Sequence, residues 1–220
     1  MPSVSTCTHG ATPKPRLIAI AGPSGAGKTT LAKALVDALP GAVALLPLDA
    51  YYADRSDLMP GARARYNFDA PEALDAELLH THLRALAAGH SIDIPVYGFA
   101  SHSRQRHTLR IEPTDFVVVE GLFALYFDEL LPLYTYQIYV DLADERCLQR
   151  RLIRDANERG RHADDIRRQY AEQVYPMYLR YIQPTRMRAQ FVADGNGEWP
   201  EQIDLLLTAI DSVRQKDSQE

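Results

Sequence analysis

Gly22-Pro23-Ser24-Gly25-Ala26-Gly27-Lys28-Thr29 decides the fold: a glycine, four residues, then Gly-Lys-Thr. The apolar run Leu17-Ile18-Ala19-Ile20-Ala21 stands directly before it, and Thr30-Leu31-Ala32-Lys33-Ala34-Leu35-Val36 follows with helical spacing. Strand, glycine-rich turn and helix in that order make a cradle for phosphate. Glycines let successive backbone N–H groups face one anion, and the helix N-terminus adds the positive end of its dipole. Gly22, Ser24, Gly25, Ala26, Gly27 and Thr30 are the expected cradle. Lys28 is placed to reach the β- and γ-phosphates, and the Thr29 hydroxyl to bind magnesium. The stretch points to a site for a nucleoside triphosphate.

Working outward, short apolar runs alternate with helical patterns, which predicts an α/β fold with a parallel sheet and helices on both faces. Strands are expected at 17–21, 42–46, 116–119, 137–140 and 190–193. Helices are expected at 70–88, 144–158, 164–182 and 200–214, besides the one after the phosphate loop. Ile92 to Tyr97 and His107 to Ile111 read as the arms of an inserted hairpin, about 91–112. The whole is expected to be one domain over 16–215, with residues 1–15 as a frayed tail.

The 220 residues suffice for a real core, and 46% hydrophobic and 24% charged residues suit a water-soluble globular protein. A net charge of −5 does not favour nucleic acid or an anionic membrane. Cys7 and Cys147 lie far apart without metal-ligand spacing, so both read as free thiols in a reducing cytoplasm. No run is long enough to span a bilayer.

Polar residues gather where strands end, the edge at which open α/β sheets bind ligands. Asp49, after the second strand, suits a base that accepts a hydroxyl proton, or a magnesium ligand through water. Glu120 ends a run of valines; a charge there is costly unless a cation is near, which suggests a second carboxylate at the metal. Arg146, Arg150, Arg151, Arg154, Arg159 and Arg161 crowd one segment. Asp155 could pair with Arg151 and Glu158 with Arg154 as a solvated, salt-bridged helix. The alternative is a lid, about 150–165, in which Gly160 lets the guanidiniums close over phosphates.

Several segments, in order, resemble the uridine kinase family of phosphate-loop kinases, in the phosphoribulokinase-related branch. They are Gly22 to Thr30, Asp49-Ala50-Tyr51-Tyr52, Tyr66 to Pro71, Pro95 to Arg104, Val119-Glu120-Gly121, Arg150 to Arg161 and Pro184-Thr185-Arg186. The resemblance implies transfer of a γ-phosphoryl group from ATP or GTP, with Mg²⁺, to the 5′-hydroxyl of uridine or cytidine. It makes Asp49 the catalytic base, with Lys28 also catalytic and Thr29, Asp49 and Glu120 at the metal. Asp69 and Arg151 would hold the ribose. Tyr97 and His102 would read the base, Phe68 and Phe99 would pack on it, Tyr52 would belong to the substrate site, and Gln169 would sit near the nucleoside. Arg154, Arg159 and Arg161 would clamp the phosphates, Arg161 also touching the nucleoside. A homo-oligomer is left open.

Two positions and one segment depart from the family pattern: Ala50 for Ser, Gly98 for Asp, and Gly195-Asn196-Gly197-Glu198-Trp199 for Gly-Gly-x-Asn. Two other readings stay open at this point. One is a related kinase of a phosphorylated sugar or pantothenate-like alcohol, the other a nucleotide-binding regulator without turnover.

Overall fold

The computed structural model describes residues 14–63, 66–99, 101 and 103–217. Strand β1 (Arg16–Ala21) leads into the phosphate loop and helix α1 (Lys28–Ala38). Strand β2 (Val43–Pro47) passes into a 3₁₀ turn, Leu48–Tyr51, that carries Asp49. A single turn α2 (Pro60–Arg63) and a 3₁₀ turn at Pro71–Ala73 precede helix α3 (Ala76–Ala87). The hairpin is β3 (Ile92–Gly98) and β4 (Ser103–Ile111). Then come β5 (Phe116–Glu120), β6 (Tyr134–Asp141) and α4 (Asp144–Arg159). Helices α5 (Ala163–Gln169) and α6 (Tyr175–Met177), strand β7 (Phe191–Asp194) and helix α7 (Trp199–Asp217) complete the chain.

Five strands form one parallel sheet in the order β2-β5-β1-β6-β7. Because side chains alternate along a strand, both faces of β1 must be covered by apolar partners. Leu17, Ala19 and Ala21 pack on one side with Leu79, Leu83 and Leu86 of α3. Ile18 and Ile20 pack on the other with Leu31 and Leu35 of α1 and Leu206 and Ile210 of α7. That sandwich brings the ends of β2, β5 and β1 side by side, with Glu120 in register with Ile20 and Pro47.

The structure moves several expected boundaries. The helix expected from residue 70 starts at Ala76, because Pro71 begins a separate turn and the Asp75 side chain caps the helix, accepting from Leu78 N at 3.1 Å. The second hairpin arm starts at Ser103, not His107; its outer residues are exposed and polar, so no apolar alternation marks them. The helix expected over 164–182 is helical throughout but widens into π turns at Tyr170–Val174 and Tyr178–Ile182. Pro176, between them, has no N–H for an i→i−4 bond and crowds the carbonyl one turn back.

Candidate active site

The phosphate loop has the backbone its glycines permit. Gly25 and Gly27 take φ of +89° and +105°, which L side chains rarely adopt. A Cβ on Gly25 would stand 2.6 Å from the Cys147 carbonyl oxygen of α4, and one on Gly27 3.0 Å from the Trp199 ring. Lys28, buried, donates from Nζ to the Pro23 carbonyl at 3.0 Å, curling over the loop. Burial pushes its pKa down, while the Glu120 and Asp49 carboxylates oppose that shift. Thr29 Oγ1 donates to Glu120 Oε2 at 3.3 Å. Glu120 is raised by burial and held back by Lys28. The loop, Glu120 and Asp49 therefore form one electrostatic unit.

A cleft of ≈1280 Å³ runs across this unit. At one end Tyr52, Phe68, Tyr97 and Phe99 form an aromatic cluster. Tyr52 meets Phe68 and Tyr97 at centroid distances of 5.4 and 5.3 Å, and Tyr97 meets Phe99 at 5.6 Å. The contacts with Phe68 and Phe99 are edge-to-face and that between the two tyrosines is tilted, and such contacts fix ring orientation as well as burying area. Tyr52 and Tyr97 are buried while Phe99 stands 43% exposed at the rim. Asp69 lies beneath, buried, its carboxyl raised by burial against the pull of Arg151. Beside Gly98, an added Cβ would meet Gln105 and Ser101 side-chain atoms at 2.5 and 2.7 Å. Those two side chains fill the space where the family pattern has an Asp.

The arginine segment is salt-bridged, with Asp155 meeting Arg151 as its spacing predicts, but that pair is buried rather than solvated, and Arg154, expected to pair with Glu158, meets Asp155. Arg151 is buried and points inward, Nη1 to Ser24 Oγ at 3.1 Å and to Asp69 Oδ1 at 3.9 Å. Asp155 is fully buried and gathers three guanidiniums: Arg151 and Arg161 at 3.5 Å, and Arg154 at 2.8 Å. Gln169 Oε1 accepts from both Arg151 and Arg161, at 3.3 and 2.7 Å. α4 stops at Gly160 with φ +61°, a left-handed cap.

The structure thus brings together Ser24, Gly25, Gly27, Lys28, Thr29, Thr30, Asp49, Tyr52, Phe68, Asp69, Tyr97, Phe99, Glu120, Arg151, Arg154, Arg161 and Gln169 around one cleft. Gly22 and Ala26 support the loop from behind, Ala26 fully buried. His102 and the side chain of Arg159 lie outside the described residues. Sequence reasoning gave no site role to Arg150, Arg104 or Trp199. Arg150 donates to the Ala26 and Gly195 carbonyls at 3.1 and 2.8 Å. Arg104 donates Nε to the Tyr52 carbonyl at 3.0 Å and pairs with Asp75 at 3.0 Å, tying the hairpin to the Asp49 turn. Trp199 lines the cleft beside Gly27. Only the crowding of arginines and the odd Gly195–Trp199 segment hinted at these.

Thr29, Glu120 and Asp49 offer only hard oxygen donors. Among the described residues no group of three or more His, Cys, Asp and Glu could hold a metal alone. A partial oxygen shell completed by water and phosphate is the usual habit of Mg²⁺, so the residues fit it. Among the described residues no helix is long and apolar enough to cross a membrane.

A parallel sheet with a phosphate loop after its central strand, and carboxylates at the neighbouring strand ends, defines a phosphate-loop kinase fold. Its shape matches the D-glycerate 3-kinase of Cryptococcus neoformans, with a TM-score of 0.63 at 15% identity over 84% of this chain and 88% of that one. It also matches the phosphoribulokinase of Rhodobacter spheroides, with a TM-score of 0.60 at 16% identity, covering 84% and 73%. Residues 17–197 match the model of the phosphoribulokinase / uridine kinase family, and the chain belongs to that family. Curated relatives include the uridine kinase of Staphylococcus haemolyticus, 38% identical over 91% of this chain and 97% of the relative. Another is the uridine kinase of Clostridium botulinum, 36% identical over 92% and 99%.

Proposed function

We propose that this chain is a uridine/cytidine kinase, transferring the γ-phosphoryl group of ATP or GTP to the nucleoside 5′-hydroxyl. One observation carries the reading: a single cleft joins the phosphate loop to an aromatic cluster standing over the buried Asp69–Arg151 pair. A planar base wants aromatic walls, and a ribose diol wants a carboxylate. Relatives of 36–38% identity bearing the name uridine kinase support it. A sugar-phosphate or pantothenate-like acceptor would leave the aromatic cluster without purpose.

In this reading the nucleoside lies with its base among Phe68, Tyr97 and Phe99 and its hydroxyls on Asp69. Asp49 takes the proton from the 5′-hydroxyl as that oxygen bonds to the γ-phosphorus. The bond from phosphorus to the bridging β-phosphate oxygen breaks, leaving a nucleoside monophosphate and a nucleoside diphosphate. Lys28 holds the β- and γ-phosphates, and Arg154, Arg159 and Arg161 neutralise charge on the transferring group. Mg²⁺, held by Thr29 and Glu120 with Asp49 nearby, would supply further neutralisation of the phosphate oxygens. His102, by its place in the sequence, reads the pyrimidine edge; a neutral imidazole offers one donor and one acceptor, which suits either uracil or cytosine.

The test is an acceptor panel with ATP and Mg²⁺. Uridine and cytidine should both be phosphorylated and adenosine rejected if the site reads a pyrimidine edge. Equal use of adenosine, or turnover confined to sugar phosphates, would refute the proposal.

A further inference from the structure

We infer that Trp199 is the platform on which the base of the phosphate donor stacks, an inference that rests on the kinase reading of the cleft. The sheet order carries it. Asp49 follows β2 at one edge of the sheet, the phosphate loop follows the central β1, and Trp199 follows β7 at the opposite edge. A donor whose γ-phosphate faces Asp49 must lay its phosphates along the loop. Its nucleoside then points away from Asp49, toward β7. Among the described residues Trp199 is the aromatic side chain lining the cleft on that side.

The indole is held ready. Its Cζ2 would stand 3.0 Å from a Cβ on Gly27, so glycine there leaves the ring seated on the loop itself. The turn that presents it is fixed by Gln202, which accepts from Asp194 N at 2.7 Å and donates to the Asp194 carbonyl at 3.0 Å. Arg150 is pinned alongside by the Ala26 and Gly195 carbonyls. The ring is partly buried against the core and otherwise opens into the cleft. A fixed indole beside a fixed guanidinium offers a face rather than a set of base-reading donors. Stacking tolerates any base because each has a π-face. The ligand class is therefore a nucleoside triphosphate chosen by its phosphates and flat base, with little discrimination between adenine and guanine.

Trp199 is the chain's one tryptophan, so its fluorescence reports on this position alone. Titration with Mg²⁺-ADP and Mg²⁺-GDP should quench it to similar extents, whereas inorganic tripolyphosphate, which fills the loop without a base, should quench it far less. Trp199→Ala should raise donor KM about tenfold, as loss of one stacked base predicts. That rise should exceed any change in kcat or in uridine KM, and Trp199→Phe should recover most of it. Equal quenching by tripolyphosphate and ADP, or an unchanged donor KM in Trp199→Ala, would overturn the inference while leaving the kinase reading intact. If calorimetry detected no ADP binding at all, both would fall.

Discussion

Arg151 and Asp69 face each other across the floor of the cleft, Nη1 to Oδ1 at 3.9 Å, both buried and contributed by α4 and the loop before α3. The same Nη1 donates to Ser24 of the phosphate loop. One guanidinium thus spans the donor side and the proposed ribose side. Lysine, a single point charge, cannot make this set of contacts. Arg151→Lys is therefore expected to lower kcat/KM for uridine by about 10²-fold, at roughly 1.4 kcal/mol per decade and about 3 kcal/mol for losing a hydrogen bond made by a charged group. Asp69 adds a pH signature. Burial raises its pKa, so its ionisation costs the fold stability as pH rises from the ordinary carboxylate value to the raised one. Binding the diol wants the charged form. Uridine KM should rise as pH falls through the raised value, and Asp69→Asn should have a high uridine KM without that acid limb. A limb that survives in Asp69→Asn would assign it elsewhere.

Asp49 sits in the turn after β2, electrostatically coupled to Lys28, and Arg104 holds the neighbouring Tyr52 carbonyl. Asp49→Asn keeps the shape and removes the proposed base. Its kcat should fall by about 10²–10⁴-fold, with donor binding retained by calorimetry. A near-normal kcat would remove Asp49 from the chemistry. Lys28→Ala should act differently, raising donor KM and lowering kcat while uridine binding, measured without donor, persists.

The strands and the phosphate loop are legible because short apolar runs and a fixed Gly-Lys-Thr spacing are local signals. β1 from Leu17 and β5 up to Val119 are apolar at every position, as burial on both faces requires. The start of α3 was not legible, since Pro71 and Asp75 both look like helix starters. Arg150 and Arg151 are adjacent in sequence yet do unlike work, one pinning Ala26 and Gly195, the other reaching Ser24. No spacing rule separates them, because each partner lies more than forty positions away in the chain. Asp155 shows the same limit: helical spacing gave its pairing with Arg151, but not its complete burial or its hold on Arg161.

That hold leads to a paired prediction. Arg154 and Arg161 rest on Asp155, each about one-third exposed to the cleft. Alanine at either should leave the melting temperature nearly unchanged and lower kcat more than it raises uridine KM, as expected for groups that act on the transferring phosphoryl. Asp155→Ala should do the reverse. It strands guanidiniums around a buried void, and breaking such a group costs about 3–5 kcal/mol. If the arginine variants instead lost stability with normal kinetics, the cluster would be a structural brace.

Cys147 gives a probe of the loop from behind. It is 1% exposed, and its carbonyl carries the close approach to Gly25. Burial pushes its thiol pKa up to about 11. At pH 8 its thiolate fraction is then on the order of 10⁻³, against roughly a quarter for an ordinary thiol of pKa ~8.5. Because only the thiolate attacks, alkylation by iodoacetamide should be at least ~100-fold slower than for a free thiol. Reactivity should rise with pH toward about 11, or when the protein unfolds. Mg²⁺-ADP, by stabilising the loop that α4 supports, should slow the reaction further wherever local opening limits it. Peptide mass spectrometry over a time course at pH 8 measures this directly. Rapid labelling of the native protein, insensitive to ADP, would mean that α4 does not close tightly behind the phosphate loop.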